Sequence, residues 1–140
     1  MSEFNIVECQ FKDKSCLIQS IKEIGYESEF FEEPVNLRGY MNDQRAQKAN
    51  ILIKKEKIGS ASNDIGFLKN SKGQYDLIIS EYDVGRPHGS LFTEKLKQIY
   101  TKNVTLKSIA SQLAKYNLSK PNVTTDDQGR IKIKLTDFGA

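Results

Sequence analysis

One histidine, two cysteines and one kinase-like tripeptide are the residues whose types first suggest chemistry in this chain. His88 sits in Gly85-Arg86-Pro87-His88-Gly89. Any Ser/His/Asp triad would have to use it, yet no serine stands in a nucleophile-elbow context. The plain alternative is a surface histidine in a turn. Cys16 with His88 would make a thiol dyad, but a reactive thiol needs a neighbour that stabilises the thiolate. The helical pattern around Cys16 offers none. Cys9, Cys16 and one distant histidine do not have the spacing of a metal site, which needs several ligands in defined geometry. Asp137-Phe138-Gly139 spells the magnesium-binding motif of protein kinases. The Gly-rich and His-Arg-Asp loops that must accompany it are missing, and 140 residues are too few for a kinase. No catalytic residue, cofactor or metal is therefore assigned. Tyr75 and Asp76 with His88 are the one set that could line a pocket, and a small enzyme of unidentified chemistry is the weakest reading of three.

Binding chemistry has better candidates. Arg38, Arg45 and Lys48 surround Tyr40 in a stretch of irregular pattern. Cations beside an aromatic can grip phosphates and stack a base, and Gly39 allows close backbone approach. The competing reading is an ordinary solvated loop. Arg86 and His88, in the Gly85–Gly89 break, form a second candidate contact. Lys132 and Lys134 add basic residues on the polar side of the last strand.

The elements that must position these residues follow from periodicity. Val7, Cys9 and Phe11 alternate with Glu8 and Gln10, a half-buried strand. Asp13 is placed to cap a helix carrying Leu17, Ile21 and Ile24 on one stripe, with Gly25 closing it. Tyr26 to Phe31 reads as a short strand ended by Pro34, and 35–48 as a long loop or irregular strand. Ala49 to Lys54 alternates again, and 58–63 reads as a Gly/Ser/Asn linker. Asp64 to Lys69 and Gln74 to Tyr82 form a hairpin around Asn70-Ser71-Lys72-Gly73. Leu91 to Asn117 is helical, with a kink or a break into two short helices expected at Lys102-Asn103-Val104-Thr105, a stretch of weak helix formers. Arg130 to Leu135 closes the chain as a strand. The order β-α-β-β-β-β-α-β predicts one α+β domain over residues 1–140: a mainly antiparallel sheet with two amphipathic helices on one face and the other face open. A ferredoxin-like split βαβ plan is one reading of that order.

Composition narrows the setting. Lys and Arg total 21 against 18 Asp and Glu, so the net charge of +3 is too mild to argue for nucleic acid by itself. No run approaches the ~18 apolar residues of a membrane span, and Met1-Ser2-Glu3-Phe4 has no signal-peptide character. A reduced, cytoplasmic compartment is expected.

Several segments carry a resemblance to a known family: Ser2-Glu3-Phe4, Arg38-Gly39-Tyr40, Lys48-Ala49-Asn50-Ile51, Asn63-Asp64-Ile65-Gly66-Phe67, Gly73-Gln74-Tyr75-Asp76-Leu77, Phe92 to Tyr100 and Gly129-Arg130-Ile131. Through them the chain resembles the domain of unknown function 1257 family, which includes the plastid "hypothetical chloroplast reading frame 35" proteins. The resemblance implies a small protein of cyanobacterial, plastid or wider bacterial type, in a cytoplasm or plastid stroma. It also implies an accessory role beside ATPases of the AAA+ class. It implies a tryptophan-bearing segment after the long strand; this chain has Glu81-Tyr82-Asp83-Val84 there and no tryptophan. The leading expectation is a non-enzymatic interaction module, an accessory or adaptor protein, contacting its partner through Arg38, Gly39, Tyr40, Arg45, Lys48, Arg86 and His88. The alternative is RNA or DNA binding through the basic loop and an open sheet face.

Overall fold

The computed structural model describes residues 3–59, 62–84, 90–116, 122–125 and 128–134. Strand β1 (Phe4–Phe11) leads into helix α1 (Lys14–Ile24). Asp13 caps that helix as expected, its carboxylate accepting from the Cys16 N–H at 3.0 Å, and Gly25 closes it in the left-handed conformation. Strands β2 (Glu29–Arg38), β3 (Gln44–Ile53), β4 (Ile65–Lys69) and β5 (Tyr75–Ser80) follow as a meander. A short helix, α2 (Glu81–Val84), precedes α3 (Ser90–Tyr116). Strands β6 (Asn122–Thr125) and β7 (Ile131–Lys134) pair with each other as a separate ribbon.

The five-stranded sheet has the order β1-β5-β4-β3-β2, every neighbour antiparallel. This α+β arrangement is the class that the alternating patterns implied. The strand order departs from the ferredoxin-like plan, because β1 stands at an edge and not at the centre. The closing strand likewise joins the β6–β7 ribbon and not the main sheet; β6 has no alternating apolar signal to announce it.

Both long helices cover one face, as their stripes predicted. Leu17 and Ile21 of α1 and Phe92, Leu96 and Tyr100 of α3 pack on Ile51, Ile53, Ile65, Phe67, Leu77 and Ile79. The Tyr100 hydroxyl accepts from the Lys12 and Asp13 N–H groups at 2.8 and 2.9 Å, tying α3 to the β1–α1 junction. α3 is one continuous helix through Lys102–Thr105. Tertiary contacts offset the weak local propensity there: Asn103 Nδ2 donates to Ser20 Oγ and to Glu23, Lys102 pairs with Glu23, and Val104 packs on the core. No helix among the described residues is long and apolar enough to cross a membrane.

The second face is not open. The stretch 35–48, read from sequence as a long loop or an irregular strand, is the strand: it forms the distal half of a long β2–β3 hairpin. β2 continues through Pro34, which lies on an edge strand and within the irregular stretch between Phe30 and Val35, both places where a strand tolerates proline. Register shifts between Phe30 and Val35 and between Asn36 and Arg38 bend the hairpin. Its far half folds across the sheet: Leu37 and Ala49 join Phe4, Leu52 and Ile78 in a second small core. Gly66 of β4 makes this overlap sterically feasible. A Cβ there would lie 2.5 Å from Ala49 Cβ and 2.9 Å from Leu37 Cδ2. Arg45 reaches as far as β1, its guanidinium 5.4 Å from the centre of the Phe4 ring.

Candidate interaction surface

Residues 39–43 close the hairpin. The Gly39 N–H donates to the Asp43 carbonyl at 2.8 Å, and the Asn42 N–H to the Gly39 carbonyl at 2.9 Å. Asn42 is left-handed, with φ of 64°, a conformation asparagine tolerates better than most residues. Gly39 is buried, and the space a Cβ would need is filled by the Asp43 carboxylate.

Beneath the turn lies a buried polar network. Asp64, fully buried, accepts from the Arg38 N–H at 2.8 Å, Arg38 Nε at 3.2 Å, Arg38 Nη2 at 3.3 Å and the Lys55 N–H at 2.8 Å. In return the Asp64 N–H donates to the Arg38 carbonyl at 3.0 Å. Outside, Glu56 takes both Arg38 Nη atoms at 2.9 and 2.8 Å, a bidentate pair. The Glu56 and Asp64 hydrogen bonds hold the Arg38 guanidinium above its ordinary range, and Arg38 brings Glu56 down to about 2.

Two further side chains grip the turn backbone. Lys55 Nζ donates to the Tyr40 carbonyl at 3.1 Å, and Asn63 Oδ1 accepts from the Tyr40 N–H at 3.0 Å. Asn63 Nδ2 then donates to Ser80 Oγ at 2.9 Å and to Asp83 Oδ2 at 3.3 Å. Ser80 Oγ donates to Asp83 Oδ2 at 2.7 Å. One asparagine therefore joins the hairpin turn to the end of β5 and to α2. Among the described residues no buried side-chain nitrogen or oxygen lacks a partner, which is the condition for such a network to rigidify and not destabilise its surroundings.

The cations singled out in sequence are directed to different places. Arg38 turns inward to Asp64 and Glu56. Arg45 pairs with Asp43 at 2.5 Å and lies over Phe4. Lys48 is exposed in mid-strand opposite Asn36. Gly39 and Tyr40 belong to the turn itself. Arg86 and His88 lie outside the described residues, as do the side chains of Lys132 and Lys134. Tyr75 and Asp76, adjacent on a strand, point to opposite faces: Tyr75 packs in the helix-side core, whereas Asp76 accepts from Asn70 Nδ2 at 3.2 Å beside a polar groove of about 290 Å³. They do not share a pocket.

What the sequence did not announce is the network: Lys55, Asn63, Asp64, Ser80 and Asp83. Asn63 looked like the end of a linker and Asp64 like the first residue of a strand. Their one readable signal was two polar residues abutting the apolar run Ile65-Gly66-Phe67-Leu68. Met41 was missed as well. With Ile6 on β1 and Tyr40, it is one of three exposed large hydrophobic residues among those described.

The Ser80–Asp83 pair is buried and its polar atoms are spent on structure, so it presents no nucleophile to solvent. No group of three or more His, Cys, Asp or Glu side chains is placed to hold a metal among the described residues. The surface at this end is instead an apolar tip on a fixed turn. Searches of curated proteins and of solved structures find no match. A family model described as "Protein of unknown function (DUF1257)" matches residues 20–132, from the last part of α1 through the meander, the network and α3. This chain belongs to the DUF1257 family.

Proposed function

We propose that this chain is a non-catalytic interaction module, an accessory or adaptor protein, that offers the 39–43 turn to a protein partner. The observation that carries this reading is the exposure of Tyr40 and Met41, 49% and 73%, on a backbone held from below by Asn63 and Lys55. A turn whose backbone is already held loses less conformational entropy on binding than a free loop. Aromatic anchors are favoured where a few residues supply most of the affinity. The charge around the tip points the same way. Arg38 and Arg45 already have carboxylate partners, so the tip suits an apolar pocket better than a phosphate backbone. The partner class suggested by the family resemblance is an AAA+ ATPase.

The test is co-elution on size exclusion of the purified chain with purified AAA+ ATPases of its source organism. Wild type is expected to co-elute with one of them, and the Tyr40→Ala/Met41→Ala variant to elute alone. Lys72→Ala, an exposed change in the opposite turn, serves as control. A chain that stays free beside each ATPase, or a double variant that co-elutes like wild type, overturns the reading. Binding of RNA or DNA oligonucleotides that weakens steeply with salt would favour the nucleic-acid alternative.

A further inference from the structure

We infer that Met41 is an oxidant-modification site: a peroxide converts its thioether to the sulfoxide and so switches the 39–43 turn from an apolar to a polar tip. This rests on the docking role proposed for the turn, and it adds a means of regulating it.

The argument begins with where the sulfur atoms are. Both cysteines are free and buried in the helix-side core, 4% and 6% exposed. Burial pushes the Cys9 and Cys16 thiols up. Peroxides attack the thiolate, so two buried, protonated thiols are poor targets. A thioether needs no deprotonation, and its reaction depends mainly on access. Met41 has that access at 73% exposure.

In the reaction the sulfur lone pair attacks one peroxide oxygen and the O–O bond breaks. Methionine gains one oxygen and loses two electrons to the peroxide. With hydrogen peroxide, the other oxygen leaves as water. The product is polar and chiral where the reactant was flexible and apolar.

The position sets the consequence. The bonds that hold the turn come from Gly39, Tyr40, Asn42 and Asp43 backbone atoms and from Lys55 and Asn63. None uses the Met41 side chain. Oxidation can therefore change the surface offered to a partner while the fold beneath it stays intact. A sulfoxide in a buried methionine would instead disrupt its surroundings.

The experiment treats the native chain with dilute hydrogen peroxide and maps modified positions by peptide mass spectrometry, with Met1 resolved as a separate peptide. The expected result is one oxygen added at Met41, with Cys9 and Cys16 still reduced and open to alkylation only after unfolding. The melting temperature of the oxidised chain should match that of the untreated chain. Oxidation of either cysteine before Met41, an unreactive Met41, or a lowered melting temperature each overturns the inference. In the co-elution assay, the sulfoxide form should bind roughly tenfold more weakly or worse. Met41→Leu, compared with itself before and after peroxide, should bind equally in both states, because it has no thioether to oxidise. If the Tyr40→Ala/Met41→Ala variant binds as wild type does, the docking reading fails, whatever the mapping gives. If Met41 resists peroxide while that variant loses binding, docking stands and the oxidative switch fails.

Discussion

Replacing Asp64 with alanine tests whether the hairpin turn is held from below. The side chain is fully buried and accepts from two backbone N–H groups and two guanidinium nitrogens. Leaving a buried backbone donor unpaired costs about 1–3 kcal/mol. Removing one partner of a buried ion pair costs about 3–5 kcal/mol. These terms overlap, because a single carboxylate serves all four donors and Arg38 keeps Glu56. Arg38 is also about one third exposed, at 32%, which lets water reach part of it. We therefore expect a loss of about 3–4 kcal/mol, a large share of the ~5–15 kcal/mol that holds a domain together. Urea unfolding at neutral pH measures it, with the slope unchanged if only the folded state is affected. Hydrogen exchange at the Arg38 and Lys55 amides should accelerate in the same variant. The double variant Arg38→Met/Asp64→Leu, which removes both charges of the pair, should recover part of the loss. A loss below about 1 kcal/mol from Asp64→Ala alone would refute the reasoning, since it would mean the donors find water or other acceptors without cost.

Other substitutions probe the rest of the frame. Gly66→Ala should cost about 1–3 kcal/mol in the same urea assay, because its Cβ would meet Ala49 and Leu37; a neutral result would mean the hairpin does not lie tightly over β4. Asp13→Ala removes the cap of α1 and the 2.6 Å pair with Lys107, and should cost about 1–2 kcal/mol. The Lys107 hydrogen bond, followed by those of the Cys16 N–H and the Ser15 hydroxyl, holds the Asp13 carboxyl well below the usual carboxylate range. Stabilisation by a depressed carboxylate is complete above its unfolded value of about 3.9 and fades as pH falls toward the folded value. The advantage of wild type over Asp13→Asn should thus be constant near neutrality and shrink from about pH 4 downward; an advantage that grows with acid would contradict it. Tyr40→Ala/Met41→Ala should shift stability by no more than about 0.5 kcal/mol, as exposed changes usually do. A larger loss would mean that the tip packs on the body of the protein.

Where each side chain had one neighbour set to satisfy, the sequence was readable. Leu17, Ile21 and Ile24 mark α1, Tyr75, Leu77 and Ile79 mark β5, and Asp13 and Gly25 mark the ends of a helix. The hairpin was not readable because its two halves serve different layers. Phe30 and Ile51 face the helix-side core, while Leu37 and Ala49 face the small core beyond the bends. Bulges between them break the period of two, and Pro34 looked like a terminator because nothing local shows that β2 is an edge strand. The break expected in α3 rested on local propensity, and the partners that support its continuity, Ser20 and Glu23, come from a distant part of the chain. The turn proposed as a contact surface falls in a region the sequence had singled out, Arg38-Gly39-Tyr40. The roles of its residues were not legible. Arg38 looked like a cation for a ligand and serves as an internal strut, because Asp64 and Glu56 reach it only after the hairpin folds over β4.

The placement of β1 bears on how the chain reaches this structure. Strands β2 to β5 pair with their sequence neighbours, but β1 pairs only with β5; Cys9 and Asp76, which meet at that seam, are 67 residues apart in sequence. On a ribosome the first strand emerges long before its mate exists. Closing so long a loop before any contact rewards it is slow. The meander can zip locally, and β1 with α1 then completes it as a late-arriving lid on the β5 edge. Until that step the inner edge of β5 and the apolar residues Val7, Cys9 and Phe11 remain unpaired, which makes docking of the first strand the stage at which the nascent chain is most open to aggregation.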